Sequence, residues 1–128
     1  LQDGVYLRLA LETKSNAKLA GACSLFSINE QCRRAEIGYI LGREFWGQGL
    51  MFEALTAMLE FGFTGLSLNR IEADIDPRNA PSARILERLG FHKEGHLRQR
   101  WIVDGEISDS DVYGLLRQDW SGGTGSSA

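Results

Sequence analysis

Cysteine, proline, methionine and histidine are each present only twice in this 128-residue chain, and several of these scarcities exclude a class of protein. Cys23 and Cys32 stand nine positions apart, outside any metal-ligand spacing, so a reduced, cytoplasmic protein is expected rather than a disulfide scaffold. Cys23 reads as a small core residue. No apolar run approaches the roughly 20 residues that cross a bilayer, and the start lacks the basic-then-apolar profile of a signal peptide, so no membrane partner is expected. A basic excess is missing too. Fourteen Lys and Arg against seventeen Asp and Glu give a formal net charge of -3, which argues against general nucleic-acid binding. His92 and His96, spaced as if on one face of a strand, would sit roughly 13 Å apart, too far to share an ion, and no metal site is expected. Nor is there an initiator Met: Leu1-Gln2-Asp3-Gly4 leads straight into a strand-like run, and the chain reads as a fragment whose front end is missing.

What is there suffices for one core. At 43% hydrophobic and 24% charged residues, residues 1–120 are expected to form a single α+β domain, and the small, polar stretch 121–128 a disordered tail. Val5 to Leu11, Leu19 to Ile28 and Ala35 to Leu41 read as three strands with short polar connections, an antiparallel meander. From Leu50 the period changes. Met51, Leu55, Met58 and Leu59 share one helical face, and Gly62 and Gly65 are placed to end the helix. Arg70 to Asp76 alternates again, stopped by Pro77, so that strand, helix and strand form a parallel crossover. Asn79 or Ala80 caps a second helix with Pro81 in its first turn, Ile85, Leu86 and Leu89 inward and Gly90 as its stop. Two long runs, His92 to Val103 and Glu106 to Leu116, flank Asp104-Gly105, a strong hairpin signal. No internal repeat is present.

Two glycine-bearing turns carry the chemistry. In Glu44-Phe45-Trp46-Gly47-Gln48-Gly49, paired glycines open the first helix and leave the N–H groups of Leu50 and Met51 bare. Such a mouth suits a phosphate or pyrophosphate, because a Cβ would hold the anion away. Trp46 reads as a packing residue that fixes the turn. The second motif is Asn79-Ala80-Pro81-Ser82, followed by Leu89-Gly90-Phe91. Asn79 is open to two readings, a helix cap and an amide that holds a ligand. Arg84, Arg88, Lys93, Arg98 and Arg100 make a locally basic stretch, read mainly as solvated surface.

The segments E-I-G-Y-I-L (Glu36 to Leu41), F-W-G-Q-G-L-M-F-E-A-L (Phe45 to Leu55), N-R-I-E-A-D (Asn69 to Asp74), N-A-P-S-A-R-I-L-E-R-L-G-F (Asn79 to Phe91) and D-S-D-V-Y (Asp109 to Tyr113), in this order and spacing, resemble the GNAT superfamily of acetyl-CoA-dependent N-acetyltransferases. The likeness is greatest to its ribosomal-protein N-terminal acetyltransferase (RimJ/RimL-like) branch. It implies a GNAT-like fold: a mixed central sheet flanked by helices, with an N-terminal strand and helices ahead of Val5.

It implies acetyl-CoA as cosubstrate, its pyrophosphate held by Trp46, Gly47, Gln48, Gly49, Leu50 and Met51. Its pantetheine arm would lie along the backbone of Ile40, Leu41 and Gly42, where the third strand splays away after a bulge, and against Asn79. Ser82 would donate to the departing thiolate. A tyrosine that many relatives carry on the second helix is Leu86 here. The amine must lose its proton before attack, and Glu36 is the first candidate base, with Asp109 and Asp111 as runners-up. A protein or peptide N-terminus is the first acceptor expected, and a polyamine or aminoglycoside the second. A non-catalytic acyl-CoA sensor stands as the reading from another class. The protein itself is expected to be a monomer or homodimer.

Overall fold

Alternating apolar and polar residues in the first third of the chain place one edge of a sheet, and the computed structural model, which describes residues 5–12, 19–41 and 49–120, bears out that pattern. Strands β1 (Val5–Glu12), β2 (Leu19–Asn29) and β3 (Arg34–Leu41) pair antiparallel in sequence order. The inward positions of β2 and β3, Cys23, Leu25, Ala35 and Ile37, are all buried.

Helix α1 (Leu50–Glu60) follows, and its predicted face is the core: Met51, Leu55, Met58 and Leu59 are at most 2% exposed. Its end differs from expectation, since Gly62 does not stop it. The helix runs on into a π-helical turn, Phe61–Gly65, in which Gly62 is buried. A Cβ on Gly62 would come within 3.0 Å of Ile71 Cδ1 and 3.3 Å of Leu68 Cδ1. This glycine therefore serves close packing against the sheet, and the helix ends at Gly65.

Strand β4 (Arg70–Ile75) returns parallel to β3, in register at Arg34↔Arg70, Ala35↔Ile71 and Glu36↔Glu72, as a strand-helix-strand unit requires. It stops one residue short of the expected end, because the Asp76 carboxylate accepts from the Arg78 N–H at 2.8 Å and from Arg78 Nη2 at 2.6 Å, which makes a turn. Those bonds lower the Asp76 carboxyl to about 2. Helix α2 (Ala80–Leu89) is capped by Asn79 and closed by Gly90 at φ 103. Its Leu86 and the following Phe91 enter the core.

The last two strands, β5 (His92–Val103) and β6 (Glu106–Leu116), form the expected hairpin, with Asp104 (φ 52) and Gly105 (φ 81) both left-handed at its turn, as a primed turn demands. The sheet order is β1-β2-β3-β4-β6-β5. Strand β6 thus inserts beside β4, and β5 becomes the edge.

Ile71, Ala73, Tyr113 and Leu115 join the two helices in one buried cluster. Arg70, Glu72 and Asp74 alternate onto the opposite, polar face. There Arg70 bonds Glu72 at 2.7 Å and Glu94 at 2.5 Å, over a site where a Cβ on Gly114 would lie 2.7 Å from Glu94 Oε2. No helix among the described residues is long and apolar enough to cross a membrane.

Candidate active site

The two helix N-termini are built differently. Helix α2 closes its own: Asn79 Oδ1 accepts the Ser82 N–H at 3.1 Å, satisfying one of the amides that a helix start leaves orphaned. Helix α1 has no side-chain cap. Its N-cap is Gly49 at φ 76, a conformation that costs an L-residue about 1–2 kcal/mol. Its first intrahelical bond runs from the Glu53 N–H to the Gly49 carbonyl at 3.0 Å, so the amides of the turn between have no side-chain acceptor among the described residues. They sit at the positive end of the helix dipole.

A groove of about 260 Å³ opens beside this mouth, between Gly49, Met51 and Phe52 of one helix and Pro81, Arg84, Ile85 and Arg88 of the other. The Arg88 guanidinium stacks 4.1 Å from the Phe52 ring centroid. Two members of the basic stretch, Arg84 and Arg88, thus line the groove beside this helix mouth. Trp46, Gly47 and Gln48 of the expected cradle, and Gly42 of the expected backbone edge, lie outside the described residues. Leu50 and Met51 occupy the first turn of α1, where the cradle needs their amides.

A second gap lies in the sheet. Strand β3 pairs with β2 out to Leu41↔Gly21, yet its parallel pairing with β4 ends at Glu36↔Glu72. Beyond that point Ile37 to Leu41 on one side and Ala73 to Ile75 on the other leave backbone groups without strand partners across the gap. The bulge that the resemblance placed in the third strand is in β2 instead, between Phe26 and Asn29, with Ser27 at φ 54. The register of β3 from Glu36 to Leu41 is regular. Its Ile40 side chain is 74% exposed, so it takes no part in packing the core.

The helix side of this gap holds two hydroxyls. Ser82, in the first turn of α2, is 7% exposed. Tyr39 reaches the same place from β3, and its buried Oη has no hydrogen-bond partner among the described residues. Burial pushes the Tyr39 phenol up, and the neighbouring Ser82 side chain works against that rise. Sequence reasoning missed Tyr39, although its parity with Ala35 and Ile37 put it on the core face.

Carboxylates gather on the other face. Glu36 stands beside Glu72 and Asp74, and its carboxyl is raised by burial first and then by those two neighbours. Arg100 and the Ser27 hydroxyl, turned in by the β2 bulge, partly offset this. A carboxyl raised in this way is a better proton acceptor than an ordinary glutamate.

The runners-up are differently placed. Asp111 Oδ1 lies 2.6 Å from His96 Nδ1, and Asp109 Oδ2 lies 2.9 Å from His96 Nε2. Asp109 also accepts the Gln99 N–H at 2.7 Å, which with His96 holds its carboxyl below the usual range. Both are occupied in a hairpin network with Lys93, 3.4 Å from Asp111. An irregularity between Lys93 and Gly95 sets His92 opposite Gly114 and His96 opposite Asp111. That odd offset puts the two histidines on opposite faces of β5, not on the shared face that their spacing suggested. Among the described residues no group of side chains is arranged to hold a metal ion.

The family profile of the acetyltransferase (GNAT) domain matches residues 2–92. The chain belongs to the GNAT acetyltransferase family. It is 39% identical over 120 residues to an uncharacterized N-acetyltransferase, p20, of Bacillus licheniformis, covering 94% of this chain and 67% of that protein. It is also 39% identical over 87 residues to the ribosomal protein uS5 alanine N-acetyltransferase of Escherichia coli, covering 68% of this chain and 45% of that one. This GNAT chain therefore spans about half to two thirds of the length of these curated relatives. Mutant forms of the spermidine/spermine N-acetyltransferase SpeG of Vibrio cholerae superpose with a TM-score of 0.80 at 26% identity, covering 91% of this chain and 70% of theirs. The GNAT fold accounts for the mixed sheet, for the single parallel pair and for the gap beside it.

Proposed function

We propose that this domain, which we take as residues 1–120, transfers the acetyl group of acetyl-CoA directly to a primary amine. The observation that carries the reading is the uncapped start of α1 at Gly49, placed beside the arginine-flanked groove and upstream of an opened β3–β4 seam. The diphosphate of the cosubstrate binds the bare amides at the start of α1, and Gly47, Gln48 and Gly49 complete its cradle. The pantetheine amides pair with the backbone of Ile40 and Leu41, which β4 leaves unpartnered across the seam, and with that of Gly42. That seam delivers the thioester between the sheet's two faces.

The chemistry then divides by face. Glu36 takes the proton of the incoming amine on the carboxylate side, where the neighbouring Glu72 and Asp74 also attract its ammonium form. Nitrogen bonds to the carbonyl carbon and sheds its second proton to water, the carbon–sulfur bond breaks with its electron pair going to sulfur, and Ser82 donates a hydrogen bond to that sulfur on the helix side. A thiolate is a competent leaving group, so removing the amine proton is the more demanding task.

The acceptor we favour is a protein or peptide N-terminus, a reading supported by the likeness to the uS5 alanine N-acetyltransferase. A specific feature favours a second one: the three clustered carboxylates Glu36, Glu72 and Asp74 suit a polyamine. Incubation with acetyl-CoA and separate pools of peptides, polyamines and aminoglycosides, with free thiol as the readout, tests both. Thiol release with peptides supports the first acceptor and release with polyamines the second. Tight CoA binding without release for any amine contradicts transfer and leaves an acyl-CoA sensor.

A further inference from the structure

Buried hydroxyls in folded proteins are almost always hydrogen-bonded, and an orphan marks a place where the fold keeps a polar group for something from outside. Tyr39 Oη is such an atom: among the described residues it alone of the buried side-chain polar atoms makes no well-formed hydrogen bond, and the Ser82 side chain is the one polar group that influences it by a hydrogen-bond contact. Its position is informative. Tyr39 lies three residues past Glu36, the last β3 residue paired with β4, so its ring projects at the opened seam from the core face. The Ser82 side chain stands next to it, itself buried and tied at its backbone N–H to Asn79. Leu86, fully buried on the same helix, supplies no polar atom there. Two adjacent hydroxyls, within reach of each other, thus stand together on the helix side of the seam where β3–β4 pairing has ended.

We infer that Tyr39 and Ser82 form a two-hydroxyl pocket for the sulfur of the bound thioester, with Tyr39 a second hydrogen-bond donor to the departing thiolate. This rests on the acetyl-CoA reading above and names a residue which that reading does not use. As the carbon–sulfur bond breaks, the electron pair moves to sulfur, which accepts from both hydroxyls. The amine proton has gone to Glu36, and the thiolate takes its own proton from water on release. Tyr39 keeps its proton throughout, in keeping with the burial that disfavours its phenolate.

Calorimetric titration with coenzyme A and with desulfo-coenzyme A, on the wild type and on Tyr39→Phe, tests the assignment. At pH 9, where an ordinary thiol of pKa about 8.5 is mostly thiolate, Tyr39→Phe should bind coenzyme A about tenfold more weakly, as expected for losing a hydrogen bond to a charged acceptor. Its affinity for desulfo-coenzyme A should be unchanged. The melting temperature should hold or rise, because the variant removes an unsatisfied hydroxyl and keeps the ring. Acetyl transfer should lose kcat while the KM for acetyl-CoA moves little. Ser82→Ala should weaken coenzyme A in the same selective way.

Equal weakening for both ligands would make Tyr39 a packing residue and overturn the proposal. So would equal affinity of wild type and variant for coenzyme A. A wild type that binds neither ligand overturns the acetyl-CoA reading itself, and this inference with it.

Discussion

In the proposed function one amide, Asn79, does two jobs that substitution can separate. Its Oδ1 accepts the Ser82 N–H at 3.1 Å as the cap of α2, and in the proposed function its NH2 group donates to the pantetheine arm. Replacing it with Ala removes both. Loss of a side-chain cap costs about 1 kcal/mol, within a range of roughly 0.5–2, which for a domain of this size lowers Tm by about 4 °C. Asn79→Asp keeps an acceptor, and its charge complements the helix dipole, so its Tm should stay near wild type. It has no amide N–H to donate, however, and its carboxylate would face a carbonyl oxygen. Its KM for acetyl-CoA should therefore rise about tenfold, to the level of Asn79→Ala, as expected for one lost hydrogen bond. Differential scanning calorimetry and steady-state kinetics on the three proteins separate the terms. A Tm for Asn79→Asp as low as that of Asn79→Ala would refute the capping argument. A wild-type KM in Asn79→Asp would refute the pantetheine contact.

Other perturbations follow from the same geometry. Because burial, Glu72 and Asp74 raise the Glu36 carboxyl, kcat/KM should climb with pH through a value above the ordinary glutamate range. Glu36→Gln should remove that limb and cost about 10²–10⁴ in rate, whereas Arg100→Ala, which strips an opposing positive charge, should move the limb to higher pH. A pH–rate profile of Glu36→Gln that keeps the limb would exclude it as the base. The His96 imidazole is raised by its bonds to Asp111 and then to Asp109. Its contribution to stability is thus fully present below the usual histidine pKa and lost as pH rises through the elevated folded value. Tm measured from pH 5 to 9 should show that loss in the wild type and not in His96→Gln. At Leu55, fully buried in α1, substitution by Ala should cost about 2–5 kcal/mol in denaturant unfolding.

Much of this was legible in the sequence where the signal is local. The 3.6-residue spacing of Met51, Leu55, Met58 and Leu59 predicts the buried face of α1. Asn79, Pro81 and Gly90 predict α2 from cap to stop, and Asp104-Gly105 predicts the hairpin turn. What escaped depends on contacts between distant segments. Gly62 reads as a stop because glycine ends helices, but Ile71 and Leu68, which decide its role, arrive from beyond the helix. The insertion of β6 between β4 and β5 has no local signature. Nor has the β5 irregularity at Lys93–Gly95 that turns His96 onto Asp111 and occupies a candidate base. In the candidate site, the glycine mouth and Ser82 were readable as motif, while Tyr39 required knowing that α2 brings the Ser82 side chain next to its buried hydroxyl.

The most direct measurement is a backbone amide NMR titration with coenzyme A. Diphosphate binding at the open start of α1 predicts the largest amide shifts at Gly49, Leu50, Met51 and Phe52, with saturation, and smaller ones in α2 near Arg84 and Arg88. Saturable binding that leaves the Gly49–Phe52 amides unmoved would contradict the account.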